Sequence, residues 1–179
     1  MKALNLLLER HSCARLSAPA PEGAELETIW QAGLRAPDHG GLHPWRILHV
    51  SGEGLSKLSD IFAAAAEQNQ GDIEKARQMP FRAPLITVVI ASPKPHDKVP
   101  EIEQVLSAGC MVHAMQMAAF AQGYNGIWRT GPMAYDPIVK QKLGLAEHEH
   151  IVGFLYLGSS QISKVPSRTL STDQFVSWL

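Results

Sequence analysis

The spacing of apolar positions changes several times along the chain, and each change marks an element. Ala3, Leu4, Leu7 and Leu8 recur at helical spacing and predict a helix over 2–10. Leu26, Ile29, Trp30, Gly33 and Leu34 repeat that spacing, predicting a second helix that starts near Gly23 and ends before Pro37. WRILHVSG (45–52) reads as a strand closing in a glycine turn, followed by helices over LSKLSDIFAAAAEQ (55–68) and DIEKARQ (72–78). APLITVVIAS (83–92) is continuously apolar and rich in Val, Ile and Thr, the pattern of a central strand covered on both faces. VLSAGCMVHAMQMAAFAQG (105–123) is a long apolar helix with no polar face. GYNGIWRTG (123–131) reads as a glycine-rich loop, DPIVKQKLG (136–144) as a short helix, and HIVGFLYLGSS (150–160) as another central strand. Helices and strands mix without a strict alternation, so the class is α+β with helices on both faces of one sheet.

The length of 179 residues fits one domain, 1–179, and 45% apolar with 18% charged residues suffices to bury a core. Sixteen Lys plus Arg balance 17 Asp plus Glu, which disfavours a nucleic-acid or anionic-membrane partner. The helix over 105–123 has about the length of a spanning segment (~20 residues), but Ser107, His113, Gln116 and Gln122 interrupt it. Enclosure by protein, partly by a second subunit, explains it better. The N-terminus carries Glu9, Arg10 and His11 before any cleavage-like site and lacks a signal-peptide pattern, so a cytoplasmic location is expected. Cys13 and Cys110 form no CxxC pair and fit a reducing compartment; Cys110, inside the apolar helix, reads as an inert small hydrophobe.

Common chemical signatures are absent: no GxGxxG after a strand, no GxxxxGK[ST], no HExxH and no GxSxG. His148 and His150 in EHEH have a spacing that suits neither a helix face nor a zinc knuckle, and an exposed polar turn accounts for them; no metal is expected. Three stretches exceed what a packed core needs. RHSCAR (10–15) crowds two arginines, a histidine and a serine at a helix end. RAPDHGGLHPW (35–45) and GYNGIWRTGPM (123–133) are glycine-bearing loops with histidines or an arginine. Glycine lets a backbone approach a flat ligand closely, and Arg and Ser supply donors for an anionic or carbonyl-rich one. A solvated helix end and ordinary turns would account for the same residues.

These segments, with SAGCMVHAMQMAAFAQGYNGIWRTG and IVGFLYLG, agree in order and spacing over nearly the whole chain with the FMN-dependent nitroreductase family, and the chain resembles its compact branch most. The resemblance implies a nitroreductase-like fold with a central, mostly antiparallel sheet flanked by helices. It also implies an interlocked homodimer with two FMN sites at the interface, and hydride transfer from NADH or NADPH through flavin N5 to a small electron-poor acceptor such as a nitroaromatic or quinone. By the same resemblance Arg10, His11 and Ser12 hold FMN, as do Gly131, Pro132 and Met133, with Arg35 and His39 reaching it from the partner chain. Ala121, Gln122, Gly123, Tyr124, Asn125 and Gly126 match a stretch assigned to the nicotinamide nucleotide. The family's second basic residue falls at Ala14, the charge coming one later at Arg15, and Gly41 and His43 stand where many members have Asn and Gln. The cofactor carries the hydride, so no catalytic side chain is assigned, and Arg10 or Arg15 is the candidate positive group beside flavin N1. A ping-pong cycle follows from one open ring face. A non-catalytic FMN carrier and a partner-binding dimer are the rival classes.

Overall fold

The computed structural model describes residues 3–160 and 170–179. Its centre is a four-stranded antiparallel sheet of β1 (Trp45–Ser51), β2 (Leu85–Ala91), β3 (Asn125–Arg129) and β4 (His150–Gly158), in the order β1-β2-β4-β3. Every residue of β2 is buried, as its unbroken apolar run requires, and β1 and β3 are the edges. The helices are α1 (Ala3–Glu9), α2 (Gly23–Gly33), α3 (Glu53–Gln68), α4 (Ile73–Gln78), α5 (Glu101–Ala121), α6 (Pro132–Tyr135) and α7 (Pro137–Lys142). The predicted first helix forms, although position 2 of its expected span lies outside the described residues.

Alternation along the strands sends side chains to two cores. Ile86, Val88, Ile90, Phe154 and Tyr156 pack with Leu58 and Phe62 of α3, where the Phe62 and Phe154 rings meet edge to face at 5.3 Å. Leu85, Val89, Leu155 and Leu157 face the other way, onto Leu26 and Ile29 of α2 and Met111 and Met115 of α5. A Cβ on Gly33 would come within 2.6 Å of Met115 Cγ, so that glycine sets how closely α2 and α5 pack. Gly153 does the same for an aromatic: a Cβ there would meet Trp128 Nε1 at 2.0 Å, and the indole lies over the bare backbone, donating to Val152 O at 3.1 Å.

Four expectations need correction. The loop expected at 123–131 contains an edge strand, β3; Gly126 is used because Leu157 and the Tyr156 carbonyl would each stand 3.0 Å from its Cβ. The long helix starts at Glu101 rather than 105, directly after Pro100. Cys110 is exposed, and with Ile102, Leu106 and His113 it forms an uncovered stripe on α5 at helical spacing, while Leu4, Leu7 and Leu8 of α1 are exposed as well. EHEH is no simple exposed turn, because Glu149 is buried and takes both Arg46 Nε and Nη2 at 2.7 Å. Hydrogen bonding to Arg46 holds the Glu149 carboxyl down at about 2 and raises the Arg46 guanidinium in turn. Among the described residues no helix is long and apolar enough to cross a membrane.

Candidate functional site

The structure brings the first and third singled-out stretches together. After α1 the chain runs beside β3: Ser12 pairs with Gly126, the Cys13 N–H donates to Gly126 O at 3.2 Å, and Leu16 N–H donates to Arg82 O at 2.8 Å. Arg129 Nη2 then reaches the Ala14 carbonyl at 3.1 Å. His11 stands edge-on to Phe120 with its ring centroid 5.4 Å away, and its Nε2 is buried with no partner among the described residues. Ser12 and Arg15 are exposed and Arg10 is half-buried.

Beside this strand opens a cleft of about 380 Å³ walled by Phe62, Met79, Phe154 and Tyr156 and closed by Gly131, Pro132 and Met133. Two cations line it, Arg82 and Arg129, and no carboxylate does. The Arg129 guanidinium lies 5.6 Å from the Tyr156 ring centroid, and its buried Nε has no partner among the described residues. Burial pushes the Tyr156 hydroxyl up to about 12 against the pull of Arg129 and Arg82, so it stays a neutral phenol at physiological pH. Gly131 adopts φ 66° just before α6, with open space where a Cβ would stand. An apolar cleft with a bare glycine rim and two guanidiniums suits a flat ligand bearing negative charge or carbonyls. Sequence reasoning picked out Gly131, Pro132 and Met133 but missed Arg82, Arg129 and Tyr156 as a set. The signal was there: Ile127 and Arg129 share a face once β3 is recognised as a strand, and Tyr156 pairs with Ile127.

The second stretch lies at the opposite edge. Gly40, Gly41 and His43 all have left-handed φ (74°, 63° and 48°), a conformation that costs a non-glycine residue strain. Asp38 holds them, accepting the Leu42 N–H at 3.2 Å and the His43 N–H at 2.8 Å, with His43 Nδ1 3.0 Å away. Lys94 Nζ donates to Leu42 O at 2.6 Å, and His39 Nδ1 meets Glu103 Oε2 at 2.9 Å. Arg35, His39, Gly41 and His43 remain exposed. Three strand spacings, about 14 Å, separate the β1 and β3 edges, so one chain does not bring Arg35 and His39 to the Arg82–Arg129 cleft. Residues 121–126 lie outside the cleft lining as well: Gln122 Nε2 donates to Glu25 O at 3.2 Å and Tyr124 OH to Glu25 Oε2 at 2.5 Å, pinning this turn to α2.

Residues 7–159 match the sequence profile of the nitroreductase family. The chain is 49% identical over 165 residues to YdjA of Escherichia coli (strain K12), a protein named for NAD(P)H nitroreductase activity, covering 90% of each. It is 36% identical over 184 residues to a Haemophilus influenzae protein of the same description, covering all of both. A nitroreductase-like family protein from Bacillus cereus shares the fold with a TM-score of 0.86 at 22% identity, over 100% of this chain and 96% of that one. So does NfnB, an FMN and NADPH-dependent nitroreductase from Sphigopyxis sp. strain HMH, with a TM-score of 0.80 at 18% identity over 100% and 99%. The fold and the sequence define an enzyme of the oxidoreductase class. The chain belongs to the nitroreductase family, and within it is similar to YdjA.

Proposed function

We propose that the chain is an FMN-dependent oxidoreductase, a single domain over 1–179, that passes hydride from NADH or NADPH to a nitroaromatic or quinone as a cytoplasmic homodimer. The observation that carries this reading is the cleft that Gly131, Pro132 and Met133 line together with Arg82 and Arg129 and without a carboxylate. The residues fit FMN: cations without a competing carboxylate, a rim glycine with no side chain, and a phenol that stays neutral. FMN held there would supply the redox chemistry, the transfer of hydride from a nicotinamide to the acceptor. Arg10 and Ser12, which stand outside the cleft lining, would hold its phosphate and ribityl chain, with His11, packed on Phe120, between them. Arg129, tethered by the Ala14 carbonyl and set over the Tyr156 ring, lines the cleft with its charge and joins Arg10 and Arg15 as a candidate for the positive group.

A second copy completes the site in this reading. Arg35 and His39 belong to a loop held rigid by its own chain and offered outward, which favours their use by a neighbouring molecule. The exposed Ile102–Leu106–Cys110 stripe and the uncovered leucines of α1 supply apolar surface for that contact. Residues 121–126 are the nicotinamide-side assignment. One open ring face serves both substrates, so they alternate.

The test is optical. Purified protein should be yellow, lose its colour with NAD(P)H in the absence of air, and recover it on adding a nitroaromatic or quinone, with parallel double-reciprocal lines at steady state. Arg129→Met should weaken FMN by about ten- to a hundredfold, the loss of a charge-assisted bond. Bleaching by dithionite but by neither NADH nor NADPH would defeat the hydride-transfer reading.

A further inference from the structure

Helix α5 carries two buried glutamines, and they are used differently. Gln104 is spent locally: its Oε1 accepts the Lys94 N–H at 2.8 Å, and its Nε2 donates to Lys94 O at 2.8 Å and Val99 O at 3.1 Å, closing the loop that leads into the helix. Gln116 is 5% exposed and stands between the buried Met115 and Met117, a place where an apolar side chain would pack as well. It reaches out of its own helix instead, and Nε2 donates to Gly126 O of β3 at 3.1 Å.

That carbonyl is a shared acceptor. It also takes the Cys13 N–H at 3.2 Å, and Ser12 bridges to the same glycine. Gly126 is itself packed hard against β4, where Leu157 Cδ2 and the Tyr156 carbonyl would each lie 3.0 Å from a Cβ. Phe120, about one helical turn after Gln116 and on the same face of α5, meets the His11 ring at 5.4 Å. The helix thus holds the N-terminal segment twice, through a ring on His11 and through the Gly126 carbonyl on Cys13. Ser12 lies between the two anchors. The next tethers along the chain, Ala14 O to Arg129 and the Leu16 N–H to Arg82 O, come from residues that line the cleft.

We propose that Gln116 is a positioning residue for the cofactor: by pinning the Gly126 carbonyl it fixes the backbone from which Arg10 and Ser12 reach FMN. The inference rests on the FMN reading above and adds to it a residue that does not line the cleft. One backbone bond leaves the N-terminal segment free to rock about it, and a second donor on the same oxygen, carried by a 21-residue helix, removes that freedom. A segment ordered in advance spends less of its binding energy on ordering, so the effect falls on affinity. The fold depends on the amide less, because Gly126 O keeps the Cys13 N–H when the amide is gone and a methionine fills the same space among methionines.

The experiment removes the amide and keeps the bulk. Gln116→Met should raise the Kd of the flavin-free full chain for FMN about fivefold, read by quenching of flavin fluorescence, while its unfolding midpoint changes little. Amide hydrogen exchange at Cys13, followed without cofactor, should quicken about fivefold as well. Gln116→Glu supplies the missing donor only while its buried carboxyl is protonated. Its FMN affinity should therefore match wild type near about pH 6 and fall toward that of Gln116→Met near about pH 9, as the carboxyl ionises against the Gly126 carbonyl. An unchanged Kd in Gln116→Met, unchanged Cys13 exchange, or a loss of stability as large as the loss of binding would overturn the positioning role and leave the FMN reading standing. A wild-type chain that takes up no FMN, with Cys13 exchange still responding to the variant, would instead sink the FMN reading and the ligand that Gln116 serves along with it.

Discussion

The loop before β1 and the loop after β3 are both glycine-bearing and both sit at a sheet edge, yet they are held in different ways. Before β1, side chains do the holding: Asp38, Lys94 and Glu103 clamp residues 39–43, every clamp has its partner, and His39 and His43 turn outward. At the β3 edge the backbone ladder does most of it up to Arg129, with Trp128 donating to Val152 O; Arg129 anchors by one nitrogen and leaves another buried and unpaired. A buried donor without a partner costs about 1–3 kcal/mol, so the second loop is incomplete in a way the first is not. The first is finished and offered to something outside the chain, and the second waits for something to enter.

The severest way to break this contrast is to deny the chain its neighbour. Ile102→Glu combined with Leu106→Glu puts two charges into the exposed stripe of α5, and burying them without partners costs several kcal/mol. Light scattering should then give a monomer at micromolar concentration, with FMN retention down at least about a hundredfold. A dimer with undiminished flavin would mean that the outward loop serves no second copy.

A smaller effect tests what anchors the β1 edge. Glu149→Gln removes the ionic partner of Arg46, which keeps the Gly144 carbonyl and some solvent, and should cost about 2 kcal/mol in thermal or denaturant unfolding. The pH dependence is specific. Glu149 titrates at about 2 in the fold against an ordinary 4.5, so the unfolded chain takes the proton first. The stabilisation is whole above 4.5 and is lost as pH falls through about 2. Wild-type stability should therefore fall toward that of the variant across this window, and a constant gap between the two would exclude the carboxylate as its source.

The smallest effect sharpens the comparison within the loop itself. Asp38→Ala frees the Leu42 and His43 N–H groups and should cost about 1 kcal/mol, with faster amide hydrogen exchange at those two positions and Asp38→Asn intermediate. Unchanged exchange would shift the clamp to Lys94 and Glu103.

How much of this could be read from the residues in order depended on where the physics was local. β2, β4 and α5 were visible because an apolar run or a helical period is a property of neighbouring positions. β3 was not, since Asn125 and Gly126 dilute a five-residue edge strand until it looks like a loop, and the reason for Gly126 lies in Leu157 and Tyr156 across the sheet. Glu149 was read as part of a polar turn because its partner, Arg46, is 103 positions away. Gly131, Pro132 and Met133 were found through resemblance to a family, and Arg82 joins Arg129 and Tyr156 only once the chain has folded.

The indole of Trp128 resting on bare Gly153 also restricts the order in which this protein can change. Any residue larger than glycine at 153 collides with Trp128, whereas a smaller residue at 128 merely uncovers backbone. Substitution at 153 first is thus blocked, and substitution at 128 first removes the severer clash, leaving the Arg129 carbonyl 3.1 Å from a new Cβ. A lineage that has exchanged its tryptophan and then filled the gap cannot restore the ring without first recovering the glycine, so the pair behaves as a ratchet on sequence drift at this edge of the sheet.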